Sequence, residues 1–87
     1  MNEKKNQEPS VLPGLHGLKE IRLKKGFTQQ KVALDLSISR EALSYYENGR
    51  RSPDVQMLLL LSDYFDVSID YLITGREFIS KRQKNQF

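Results

Sequence analysis

With 87 residues the chain has room for one small domain, and 38% hydrophobic with 29% charged residues fits a folded rather than a disordered chain. The absence of cysteine excludes disulfides and thiolate metal sites and is compatible with a reducing cytoplasm, while the leucine run Leu58–Leu61 is far short of the roughly 18 apolar residues that span a membrane. The net charge of +3 is laid down unevenly: residues 1–14 are neutral, 15–53 carry +4, 54–75 carry −4 with no Lys or Arg, and 76–87 carry +3. Such polarity suits a molecule that turns one side toward a polyanion, although chance clustering on a solvated surface gives the same count.

Residues 1–14 read as a flexible leader, polar and broken by Pro9, Pro13 and Gly14. Two lysines without an apolar stretch behind them do not make a signal peptide. The first helix is expected over Leu15–Lys25, with Leu15, Leu18, Ile21 and Arg22 on one face and Gly26 as its stop. Phe27 should be buried in the link. Thr28 suits an N-cap for the second helix, whose inner face is Val32, Ala33 and Leu36. Ser37-Ile38 form the turn, and Ser39 caps the third helix. There Leu43, Tyr46 and Glu47 should point inward, leaving Arg40, Glu41, Ser44, Tyr45 and Asn48 on the other side, with Gly49 as the stop.

A basic loop, Arg50-Arg51-Ser52-Pro53, leads to Asp54, the expected cap of a fourth helix over Val55–Phe65. Its apolar face is Val55, Leu58, Leu61, Ser62 and Phe65, and Asp66 should end it, because Asp tolerates a left-handed backbone. Ser68 caps a short fifth helix, Ile69–Thr74, with Ile69, Leu72 and Ile73 apolar and Gly75 as stop. Residues 76–87 form a basic tail open to either helix or loose chain. No run alternates like a strand. The expected fold is therefore all-α, a compact five-helix bundle with a helix-turn-helix at helices 2 and 3, filling residues 15–75.

Catalysis is not expected. His16 is the sole histidine, there is no glycine-rich phosphate loop, and Asp54, Asp63, Asp66 and Asp70 do not have calcium-loop spacing. No cofactor or metal is expected.

The run Thr28-Gln29, Val32-Ala33, Leu36, Ile38-Ser39-Arg40, Leu43-Ser44, Tyr46-Glu47, Gly49, Arg51 and Pro53 resembles the helix-turn-helix family of phage repressors and Cro, also called the xenobiotic-response-element family. The likeness extends from about residue 15 to residue 75, through Leu18, Ile21, Arg22 and Gly26 upstream and Leu58, Leu61, Val67-Ser68, Asp70 and Leu72 downstream. It implies a lambda-repressor-like fold whose third helix lies in the major groove of double-stranded DNA. On the matching positions, Arg40, Glu41, Ser44 and Tyr45 would read bases. Arg40 suits guanine O6 and N7; Glu41 suits cytosine N4 or a neighbouring cation; Tyr45 suits a thymine methyl or a phosphate. Gln29, Gln30, Ser39, Asn48, Arg50 and Arg51 would hold phosphates, with Gln30 also open to plain solvent. Arg22 and Glu47 match a structural ion pair tying the first helix to the third. Where family members commonly have Gly, this chain has Ser37, which would be strained if the turn needs positive φ.

In the fourth helix Met57, Leu60 and Tyr64 make a second apolar stripe, expected with Tyr71 and Phe78 to form a two-fold homodimer interface, unless the tail covers it. The implied function is a cytoplasmic, bacterial or phage-encoded transcriptional regulator, a repressor because a short chain offers little surface for recruiting polymerase. A chain of this length leaves no room for a sensor domain, so any signal would come through a regulatory protein partner, proteolysis or concentration. The rival is an antitoxin-like or anti-repressor module whose main partner is a protein.

Overall fold

The computed structural model describes residues 14–76. The leader up to residue 13 and the tail from 77, Phe78 included, lie outside the described residues. Five helices follow in order: α1 His16–Lys24, α2 Gln29–Leu36, α3 Arg40–Asn48, α4 Val55–Phe65 and α5 Ile69–Thr74. No strand occurs among the described residues.

The ends of these helices follow from side chains that satisfy otherwise orphaned amides. Thr28 Oγ1 accepts from Lys31 N at 3.0 Å, Ser39 Oγ from Ala42 N at 2.9 Å, Asp54 Oδ1 from Met57 N at 2.8 Å and Ser68 Oγ from Tyr71 N at 3.0 Å. At the other ends, Ser37 (φ 60), Gly49 (φ 80), Asp66 (φ 57) and Gly75 (φ 78) turn the chain through the left-handed region. The helix-turn-helix turn does require positive φ at Ser37. Ile38 N then donates to Ala33 O at 3.0 Å, so the turn closes on the end of α2.

Leu15, Leu18, Val32, Leu43, Leu61, Phe65 and Leu72 form the core, and all five helices or their caps contribute to it. α1 packs on α5, α2 on α3, and α5 also on α4. The α1–α5 contact depends on Gly17: a Cβ there would lie 1.7 Å from the carbonyl oxygen of Tyr71. Gly14, grouped above with the leader, is likewise pressed against α3, where a Cβ would lie 2.1 Å from Glu47 O. Beside it Leu15 N donates to Tyr46 O at 3.2 Å, so the entry to α1 is fastened to the end of α3.

The apolar faces of α4 and α5 differ from those expected. Val55 is 69% exposed, although Met57 and Leu58 in the same turn of α4 pack against the core. Tyr71 is buried, whereas Ile73 is 43% exposed, so α5 turns its Tyr71–Leu72 edge inward. The stripe of Met57, Leu60 and Tyr64 is not free. Met57 and Tyr64 are half-buried against the core, and Phe27 reaches across from the α1–α2 link to Tyr64. The Tyr64 ring meets Phe65 edge-on at 4.8 Å and Phe27 at 6.2 Å. Its hydroxyl donates to Asp35 Oδ2 at 2.6 Å, fixing α4 to α2. Burial, then the Asp35 carboxylate, pushes the Tyr64 phenol up to about 12. The Tyr64 hydroxyl first, then Lys31, holds the Asp35 carboxyl below its usual value. What α4 leaves exposed is Val55, Leu59 and Leu60.

Candidate nucleic-acid interface

The outward side of α3 is built by helical spacing. Arg40, Glu41, Ser44, Tyr45 and Asn48 fall at i, i+1, i+4, i+5 and i+8 and share one face. Arg40, Glu41 and Asn48 are exposed, and Ser44 and Tyr45 half-buried. The opposite side carries Leu43, fully buried, and Glu47, 6% exposed. Asn48 Nδ2 donates to Ser44 Oγ at 3.3 Å, so these two polar groups are arranged along the helix rather than left mobile.

Glu47 is the anchor. Arg22 Nε donates to its Oε2 at 2.6 Å and Arg22 Nη2 to its Oε1 at 3.0 Å, a two-pronged pair from α1 to α3. The third prong of the guanidinium, Nη1, donates to Phe27 O at 2.9 Å, holding the link before α2. Gln29 Nε2 adds a bond to Glu47 Oε1 at 3.0 Å, and Gln29 Oε1 accepts from Arg40 Nη1 at 3.4 Å. A continuous chain of polar contacts thus runs from Arg22 in the interior to Arg40 at the surface.

The residues expected to meet phosphates are placed around this face. Gln29 has one amide hydrogen on Glu47 and retains the other. Ser39 accepts at the α3 cap, which leaves its hydroxyl hydrogen for a further acceptor. Gln30 is exposed on the first turn of α2, and Arg50 and Arg51 are exposed beyond α3. The Arg51 guanidinium lies over the Tyr45 ring, 5.3 Å from its centroid. Lys31 is engaged elsewhere, with Asp35 at 3.0 Å and the Phe27 ring at 5.0 Å.

Of the expected interface residues on the other side, Tyr71 belongs to the core and Tyr64 is engaged by Asp35 and Phe27. Leu60 remains exposed and is joined by Leu59, which sequence reasoning left out. The two line a shallow groove of about 690 Å³ with Val67, Asp63 and Asp66. Gly14 and Gly17 were also missed as packing positions; a glycine inside the apolar pattern of α1 was the available signal. No helix among the described residues is long and apolar enough to cross a membrane. No group of three or more potential metal ligands occurs among them.

Residues 18–72 match a family model described as helix-turn-helix. The HTH-type transcriptional regulator ImmR of Bacillus subtilis is 45% identical over 67 residues, 77% of this chain and 52% of that protein. The SPbeta prophage-derived HTH-type transcriptional regulator YonR of the same organism is 41% identical over 58 residues, 67% of this chain and 54% of the relative. The HTH-type transcriptional activator BcrR of Enterococcus faecalis is 38% identical over 63 residues, 72% of this chain and 31% of the relative. The chain spans about half the length of the first two relatives and less of the third. The match across α1 to α5, with the two helices and turn in register, means that the chain belongs to the helix-turn-helix family, of the phage repressor and Cro type.

Proposed function

We propose that this chain is a sequence-specific DNA-binding transcriptional regulator that reads a palindromic operator as a homodimer in the cytoplasm and acts there as a repressor. Support comes first from α3, whose outer face gathers Arg40, Glu41, Ser44 and Tyr45 while Glu47 bolts its inner face to Arg22. A helix held this way enters the major groove without reorganising, and its first turn meets base edges. Arg40 takes guanine and Glu41 cytosine N4, each good pair discriminating by about 1–3 kcal/mol. Gln29, Gln30, Ser39, Asn48, Arg50 and Arg51 take phosphates on either side. The similar proteins are named as transcriptional regulators, one of them as an activator, and none is named as an enzyme. Repression needs no surface beyond those for DNA and for a second copy, since occupancy alone blocks a promoter.

For the dimer, Leu60 of the expected stripe is exposed, and Val55 and Leu59 extend the apolar surface beside it on α4. Two copies joined there by a two-fold axis present recognition helices to successive major grooves, about 34–36 Å apart. A regulatory protein partner would compete for the same face.

Selection of bound sequences from a random duplex pool tests the whole reading. A palindromic motif should be enriched, and no enrichment would overturn DNA reading. Sedimentation of a Leu59→Glu, Leu60→Glu variant tests the interface: it should be monomeric and lose affinity for the full palindrome. Unchanged dimerisation would remove this face from the proposal.

A further inference from the structure

Tyr45 and Arg51 arrive at one place by different routes. Tyr45 projects from the middle of the α3 reading face, and Arg51 lies in the loop beyond the helix. Gly49, in the left-handed region, reverses the chain and donates its N–H to Tyr45 O. Arg50 N donates to the same oxygen at 2.9 Å and Arg51 N approaches it at 3.4 Å. Pro53 is buried and pins the far end of the loop. The loop is therefore wrapped onto the residue whose ring receives the Arg51 guanidinium, 5.3 Å from the centroid.

This arrangement sets the Arg51 guanidinium over one face of the Tyr45 ring. It also restrains an exposed side chain that is rich in rotamers, while leaving the N–H edge of the guanidinium open to an acceptor. We propose that Tyr45 is a positioning residue: its ring holds Arg51 in place for a backbone phosphate and does not itself read a base. The proposal rests on the DNA-binding function given above.

The experiment measures full-chain binding to the selected duplex at about 50 and 200 mM salt for wild type, Tyr45→Leu, Tyr45→Phe, Arg51→Ala and Tyr45→Leu/Arg51→Ala. One lost phosphate contact lowers the salt slope by about 0.9, so affinity should fall about 3.5-fold less steeply across this range. Tyr45→Leu, Arg51→Ala and the double variant should all show that same change, with unaltered base preference. Tyr45→Phe should behave as wild type, because the ring and not the hydroxyl acts. Losses that multiply in the double variant, or a base preference altered by Tyr45→Leu, overturn the proposal. The free protein supplies a second measurement. The Arg51 side-chain N–H proton should be shifted upfield by the ring current in wild type and in Tyr45→Phe, and an unshifted resonance in wild type overturns the stack without reference to DNA. Failure of wild type to bind any duplex, by contrast, sinks the DNA-reading function itself.

Discussion

Removing the Glu47 carboxylate should be the most damaging single change to the interior that leaves the apolar core intact. Its side chain is 1% exposed and accepts three hydrogen bonds, two from Arg22 at 2.6 and 3.0 Å and one from Gln29 at 3.0 Å. In Glu47→Ala the Arg22 guanidinium stays buried with Phe27 O as its remaining partner, and two of its donors lose their acceptor. Breaking one side of a buried pair costs about 3–5 kcal/mol. A folded unit of about 60 residues is stable by only about 3–9 kcal/mol. Urea unfolding followed by helical circular dichroism should therefore show Glu47→Ala losing about 3–5 kcal/mol, a third or more of its stability. Glu47→Gln, which keeps one acceptor oxygen, should lose less. Arg22→Met/Glu47→Leu removes both charges together and should recover to within about 1 kcal/mol of wild type. Yet it should not recover DNA affinity, because Gln29 and through it Arg40 lose their anchor. A loss below about 1 kcal/mol in Glu47→Ala would refute the account of the pair as a buried strut.

Gly17→Ala tests the α1–α5 contact by the sign of its effect. Helix propensity alone favours alanine by about 1 kcal/mol, but a Cβ 1.7 Å from Tyr71 O forces the helices apart, and overpacking of that kind costs about 1–3 kcal/mol. Net destabilisation in a urea titration is expected; stabilisation would mean the contact is loose. Ser37→Gly should stabilise modestly, by about 0.5 kcal/mol in the same titration, since relief of left-handed strain of about 1–2 kcal/mol outweighs the extra backbone entropy of glycine. The Tyr64 phenol should titrate by ultraviolet absorbance near pH 12 rather than 10. Because the folded value is raised, the stability that Tyr64 contributes is fully present below pH 10 and lost as pH rises through about 12, and Tyr64→Phe should remove this alkaline decline. A Tyr64 titration at its ordinary value would refute the Asp35 contact.

The helices were legible because their signals are local. Thr28, Ser39, Asp54 and Ser68 announce four starts, and Gly26, Gly49 and Gly75 three stops, each through a backbone group within a few residues. The buried face of α3 was legible because Leu43 and Glu47 lie on one side of the helix, although that side meets both α1 and α2. α4 meets the core along its length and Phe27 at Tyr64, and nothing in the spacing of Tyr64 tells that the link will cover it. Gly17 signalled a close approach by its place inside the apolar pattern of α1, but not its partner, a carbonyl 54 positions away. The outward face of α3 was legible as a set of residues but not as a structure. Sequence spacing separates Gln29, Arg40, Tyr45 and Arg51 into independent contacts, whereas the fold ties the first two to Glu47 and the last two to each other. Surface residues coupled in this way do not add independently when mutated. The outer side of α3 is thus held by two anchored units, one reaching back to Arg22 and one closed by the loop after α3.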